Sequence, residues 1–203
     1  MKFNTHELSA KDRYKLLTGS VVPRPIAWIT TRNTDDSINL APFSFFSLVS
    51  TEVPIVSVAI NRSNGKLKDT SKNLLQTREC VIHIANHEHV EAMNESSMTL
   101  SYGESEVSKV NLETQSSTMI DTLSLKDVKI KLETVLFSHQ EIENEDGVCT
   151  DLFLLKVLHL DIDDSIFMQE NQYIDVNKFG PIARLAGNQF AEIKPVFTLK
   201  RPK

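Results

Sequence analysis

The apolar positions of this chain fall in short runs with polar interruptions, and their spacing is more often that of strands than of helices. Residues 128–136 (Val-Lys-Ile-Lys-Leu-Glu-Thr-Val-Leu) alternate apolar and polar side chains with period two, as a strand with one wet face does. An acidic turn, Glu143-Asn144-Glu145-Asp146-Gly147, follows, and residues 151–162 return as a second long strand. Two long strands joined in this way predict a hairpin of the kind that closes a barrel. Upstream, residues 26–31 and 38–43 flank the polar turn Thr34-Asp35-Asp36-Ser37, which predicts another hairpin. Residues 55–60 are apolar enough for a strand buried on both faces, and residues 80–85 form one more. Helical signals are fewer. Ser9 caps a short helix with Tyr14, Leu16 and Leu17 on its apolar side and Gly19 at its stop. A second helix starts at Lys68 or Asp69 and runs to about Thr77, with Leu74 and Leu75 inward, and residues 87–94 suit a third. No repeat, linker or βαβ rhythm interrupts the pattern. The expectation is one domain over residues 1–203, mainly β with peripheral helices (α+β).

Composition narrows the function classes. Of 203 residues, 40% are hydrophobic and 24% charged, the balance of an ordinary globular protein. Lys and Arg number 22 against 27 Asp and Glu, for a net charge of −5, and no dense basic stretch exists to wrap a nucleic acid. Residues 1–7 lack the apolar core of a signal peptide, and no apolar run approaches the ~20 residues of a membrane span. A cytoplasmic protein without a membrane partner is expected. Cys80 and Cys149 sit in apolar runs without Cys/His metal spacing, which favours buried free thiols. The 6 glycines are scattered, so there is no G-x-G-x-x-G and no ordinary Rossmann turn. The nearest approach to a P-loop, around Ser63-Asn64-Gly65-Lys66-Leu67, has Ile60 in place of the first glycine and Leu67 in place of Ser or Thr. A phosphate here must be held by side chains and a helix start.

Two segments offer that chemistry. In Asn39-Leu40-Ala41-Pro42-Phe43-Ser44-Phe45-Phe46, small Ala41 and Ser44 permit close approach to the backbone while the phenylalanines supply aromatic walls. The same segment also reads as a core strand with a proline bulge. In Asn61-Arg62-Ser63-Asn64-Gly65-Lys66-Leu67-Lys68-Asp69-Thr70, cations and hydrogen-bond donors converge where helix N–H groups are free. That segment reads either as an anion socket or as a solvated loop whose Asp69 or Thr70 caps the helix. Together, an aromatic wall and an anion socket suit a flat ring that carries a phosphate.

The segments Thr18-Gly19-Ser20-Val21-Val22-Pro23-Arg24-Pro25-Ile26-Ala27-Trp28-Ile29-Thr30-Thr31, residues 39–46, Lys68-Asp69-Thr70 and Pro181-Ile182-Ala183-Arg184-Leu185-Ala186-Gly187-Asn188-Gln189-Phe190 together resemble the flavin reductase-like, FMN-binding split-barrel family. Order and spacing match over nearly the whole chain. The resemblance implies a split β-barrel, a homodimer, and FMN near the subunit interface. It places Thr30 and Thr31 beside the flavin, and Asn39, Ala41, Ser44 and Phe45 along the isoalloxazine. Arg62, Lys68 and Thr70 become phosphate partners, with Asp69 as helix cap. Arg184 either reaches the ligand or braces the barrel. The chain departs from the family pattern at Asp36-Ser37, Val53-Pro54, Glu106-Val107 and Asn111, the last two in a region that helps cover the flavin.

The activity implied is NAD(P)H-dependent flavin reduction: hydride passes from NADH or NADPH to FMN, then electrons pass to free flavin, oxygen, a metal complex or a protein acceptor. Such chemistry requires no protein acid or base, so no catalytic side chain and no metal is expected. The alternatives are a non-enzymatic FMN electron carrier of flavoredoxin type, which needs the same cradle, and a metalloenzyme using His83, His87 and His89.

Overall fold

The computed structural model describes residues 1–193, 196–200 and 202. Seven strands form one antiparallel sheet: β1 (Ala27–Arg32), β2 (Ile38–Phe43), β3 (Phe46–Ser50), β4 (Ile55–Asn61), β5 (Glu79–Ile84), β8 (Ile130–Asn144) and β9 (Gly147–Ile162). Two short strands lie between β5 and β8, namely β6 (Thr114–Gln115) and β7 (Ser124–Leu125). In space the order is β2-β1-β5-β8-β9-β4-β3. The long β8–β9 hairpin is the hinge of this arrangement, pairing β5 on one side and β4 on the other. β2 and β4 touch although they lie near opposite edges of the order, so the sheet curls into a split barrel. This is the architecture expected from the resemblance.

The apolar pattern explains the curling. Ala27 and Ile29 of β1 and Phe43 of β2 face the barrel interior, packed with Val58, Leu74, Ile82, Phe153 and Leu155. The alternate residues, Trp28, Ile38 and Leu40, face outward onto a second core with Met93, Val107, Leu125 and Ile182. β1 is therefore buried on both faces, and its apolar run is continuous for that reason. Each large side chain fully buried in this way stabilises the fold by about 1.5–3 kcal/mol.

The outer layer consists of α1 (Ala10–Ser20), α2 (Asp69–Thr77), α3 (Val90–Glu95), α4 (Glu106–Lys109) and α5 (Val176–Phe179). Its remaining pairs are the ribbons β10 (Phe167–Met168) with β11 (Tyr173–Ile174) and β12 (Ile182–Arg184) with β13 (Phe190–Glu192). Among the described residues, no helix is long and apolar enough to cross a membrane.

Three expectations need correction, and one strand was not expected at all. Tyr14, Leu16 and Leu17 are exposed, and the one buried residue of α1 is Thr18, whose hydroxyl donates to the Tyr14 carbonyl. The apolar side of α1 thus has no cover among the described residues. In α2, Leu74 is buried but Leu75 is exposed, because Thr70, Ser71 and Asn73 share the inward face with Leu74. Cys80 is fully buried and free, whereas Cys149 is free but only half-buried. The strand β3 went unforeseen: its side chains are largely exposed, so apolar periodicity gave no signal.

Candidate functional site

The loop leading into α2 is built from a turn. Ser63 and Lys66 exchange two backbone hydrogen bonds, 3.1 and 3.0 Å, around Asn64 and Gly65. Both central residues have positive φ, 51° and 72°, the geometry for which Asn-Gly is favoured. The turn delivers Lys68 to the N-cap position of α2, with φ −76° and ψ 157°. No side chain caps the helix there, so Asp69 does not play the capping role expected of it. The first turn of a nine-residue helix is thereby left with its N–H groups aimed outward.

This helix start opens on a cleft of about 470 Å³. Its floor is Asn39, Ala41, Pro42 and Phe43, one wall is Ser63 and residues 67–70, and the facing wall is residues 96–100 with Glu106. A hydrogen-bond relay fixes the polar groups on the floor. Asn39 Nδ2 donates to Thr70 Oγ1 at 2.9 Å and to Thr31 Oγ1 at 3.1 Å, and Asn73 Nδ2 donates to Thr31 Oγ1 at 3.0 Å. Thr70 Oγ1 is already an acceptor, and among the described residues nothing takes its proton, which remains available to an anion. Ser71 Oγ, in the same helical turn, has no partner among the described residues, but it is fully buried and does not line the cleft. The Lys68 ammonium stands 5.7 Å from the Phe43 ring centroid. An uncapped helix start, one cation and an available Thr proton agree in sign: all favour a bound anion. The residues present fit a phosphate.

A second cleft of about 270 Å³ adjoins the first and shares Pro42, Phe43 and Ser97 with it. Ser44 and Arg184 line it, together with Tyr14, Asn188 and Phe190. The Arg184 guanidinium lies 4.4 Å from the Phe190 ring centroid and donates to the Gly187 carbonyl. Arg24 is nine-tenths buried and braces this wall: it donates to the carbonyls of Thr18, Val21 and Leu185. Trp28 Nε1 donates to Ser96 Oγ at 2.8 Å, which anchors the far wall of the larger cleft to β1.

Of the residues singled out from the sequence, Asn39, Ala41, Lys68 and Thr70 come together in the larger cleft, and Ser44 and Arg184 in the smaller one. Thr30, Thr31, Phe45 and Arg62 line neither. Thr30 is buried, its hydroxyl bound to the Leu123 carbonyl, while Thr31 supports Asn39 from behind. Phe45 is half-buried at the β2–β3 junction, where its carbonyl accepts from Ala59 N–H. Arg62 points away from the cleft. Its Nε and Nη2 bond to Asp151 Oδ2 and Oδ1 at 2.9 and 2.7 Å, and Nη2 also meets Glu141 Oε1 at 2.5 Å. His139 Nε2 completes the cluster, 2.9 Å from Asp151 Oδ1. Burial raises the Asp151 pKa, but hydrogen bonds from Arg62 and His139 outweigh it and hold the carboxyl below its usual range. The same carboxylate raises the pKa of the guanidinium.

Sequence reasoning missed the Ser96–Leu100 wall, Ser71 and Asn73. No periodicity or motif marks them; only their position after a helix or within its first turns does. Glu106 was visible solely as a departure from a family pattern. His83 is spoken for structurally: Nδ1 bonds the Trp28 carbonyl and Nε2 accepts from Leu125 N–H, both at 2.9 Å. Burial pushes its pKa down to about 3, so the ring is neutral. Among the described residues, no cluster of His, Cys, Asp or Glu could hold a metal ion.

The split barrel thus sets an anion-ready helix start beside the Phe43 ring. The chain matches the flavin reductase like domain over residues 18–177 and belongs to that family. YwrF, an uncharacterized protein of Bacillus subtilis (strain 168), is 37% identical over 201 residues, covering 98% of each chain. Nitrilotriacetate monooxygenase component B from Bacillus cereus superposes with a TM-score of 0.94 at 34% identity, covering 98% of both chains. Pseudomonas fluorescens 2-nitrobenzoate 2-nitroreductase NbaA has the same fold, with a TM-score of 0.89 at 24% identity over 100% of this chain and 96% of that one.

Proposed function

We propose that this protein is an FMN-dependent oxidoreductase that uses NADH or NADPH to reduce flavin. The observation that carries the reading is the uncapped start of α2, with Lys68, Thr70 and the Asn39 relay converging on one cleft. Lys68 and the α2 N–H groups hold the phosphate, and Thr70 donates its proton to it. Pro42 and Phe43, common to both clefts, give the ring system an apolar wall, and Asn39 and Ala41 border it. Ser44 and Arg184 line the adjoining cleft, where the second reactant approaches. Hydride acceptance from a nicotinamide and electron delivery to a second acceptor are the chemistry FMN supplies when bound. The acceptor is free flavin, oxygen, a metal complex or a protein.

The chain acts as a homodimer in this reading. Tyr14, Leu17 and Val21 expose apolar surface beside the smaller cleft, and the sheet ends in β3 with Leu48 and Val49 exposed. Uncovered apolar surface and an unpaired strand edge both favour a partner. Light scattering should give twice the chain mass, and a monomer mass would remove this part. Two free thiols suit a reducing, cytoplasmic setting.

The test is direct. The purified protein should be yellow or take up added FMN, the released chromophore should be FMN, and NADH or NADPH should be oxidised at steady state with flavin present. A protein that stays colourless with added FMN overturns the reading. One that binds FMN yet is inert to both nicotinamides is an electron carrier instead.

A further inference from the structure

Glu106 opens α4 in the wall of the larger cleft, and only 6% of the residue is exposed. Its place has a structural cause. β2 is an edge strand, so its outward backbone groups lack a neighbouring strand. Glu106 Oε2 accepts from Leu40 N–H at 2.9 Å, and Ser105 Oγ donates to the Ile38 carbonyl at 2.5 Å, so this pair covers the edge. Capping that N–H requires an acceptor and not a charge. A glutamine would serve equally, yet this chain sets a carboxyl group in a cleft whose helix start is built for an anion.

The surroundings make the negative form costly. Asp69 of α2 lines the same cleft and Glu104 precedes the helix; Lys68 is the cleft's cation, and Lys109 pairs with Glu104 at 3.8 Å. β2 contributes no ionisable side chain to this contact. Burial raises the Glu106 pKa, the N–H groups of Leu40 and of Glu106 itself oppose the rise, and Asp69 and Glu104 add to it.

We infer that Glu106 takes up one proton when the phosphate of FMN enters the cleft, so that phosphate binding and protonation of this carboxyl are linked. The inference rests on the FMN reading. A phosphate brings up to two further negative charges into a space shared with Asp69 and Glu106. Accepting a proton from solvent is the least costly relief, because Glu106 is the buried one of the two carboxylates. The protonated carboxyl then faces the ligand as a neutral group, while Oε2 keeps its bond from Leu40. Glu106 thus selects for a ligand whose charge arrives together with a proton.

Flavin fluorescence quenching between pH 5.5 and 8.5 tests the linkage, with wild type and Glu106→Gln titrated with FMN and with riboflavin. The glutamine carbonyl still accepts from Leu40 N–H, and comparing the two proteins cancels the ionisation of the phosphate itself. The FMN affinity of the variant relative to wild type should climb with pH, approaching about tenfold per unit at its steepest, the limit for one linked proton. Riboflavin should show no such divergence. Calorimetry in two buffers of different ionisation enthalpy gives a second readout on wild type alone: FMN should take up more protons than riboflavin at pH 7.5. Parallel FMN profiles for the two proteins, or equal proton uptake for FMN and riboflavin, overturn the inference while leaving the FMN reading intact. A wild type that binds no FMN at any pH overturns both.

Discussion

Arg62 and Lys68 belong to one loop, carry the same charge and both look like phosphate ligands, yet the fold puts them in opposite situations. Arg62 is held by Asp151 and Glu141, with His139 stacked on Phe153 behind them at 4.8 Å between ring centroids. Its charge is spent inside the protein, where it ties the end of β4 to β8 and β9. Lys68 has no carboxylate partner among the described residues and stands at an uncapped helix start. A cation already saturated by two carboxylates serves as a rivet, and one left beside open N–H groups is available to a ligand. The difference lies in β8 and β9, far away in sequence, which bring carboxylates to one cation and not to the other.

The strongest way to break the comparison is Asp151→Ala. Removing the buried carboxylate leaves Arg62 with Glu141 alone and takes away its two bonds to Asp151, and should lower stability by about 1.5–3 kcal/mol in chemical denaturation. FMN affinity of the folded protein should stay near wild type, and a loss below about 1 kcal/mol would mean the cluster does not rivet the barrel. Lys68→Ala should do the reverse, weakening FMN by about tenfold through the loss of a charge-assisted bond, with an unchanged denaturation midpoint. Asn39→Ala removes the bond that orients Thr70 and should cost FMN affinity about two- to tenfold, read by the same titration. The smallest effect is acid sensitivity. Asp151 has a folded pKa below its unfolded value of about 3.9, so the unfolded chain binds more protons in that window. Stability from this group is complete above about pH 4 and is lost as pH falls through the folded pKa. In Asp151→Asn that component should vanish from the pH profile of unfolding, and an unchanged profile would contradict the sign.

How legible each part was follows from the kind of signal it carries. The barrel could be read because residues 26–31, 38–43, 55–60 and 128–136 bury side chains at strand spacing, and burial writes itself into composition. β3 could not be read, since its exposed positions bear no such constraint. Leu75 misled because a short helix selects its inward face by what it packs against, here Thr70, Ser71 and Asn73 as well as Leu74. Asn39, Ala41, Lys68 and Thr70 were singled out by local chemistry joined to a family pattern, and they line one cleft. Arg62 could not be seen to be engaged elsewhere, because its partners Asp151 and Glu141 lie 89 and 79 positions away. Thr31 was assigned to the ligand when it supports the residue that lines the cleft. Local sequence reports which groups can act; long-range pairing decides which of them are already occupied.

The claim that the α2 start holds a flavin phosphate is tested most directly by titrating the double variant Lys68→Ala/Thr70→Ala with FMN and with riboflavin. Loss of both donors should weaken FMN by about 100-fold, since each is worth about 1.5 kcal/mol, and leave riboflavin, which lacks the phosphate, near its wild-type affinity. Unchanged FMN affinity in that variant, or an equal loss for both flavins, would contradict the account.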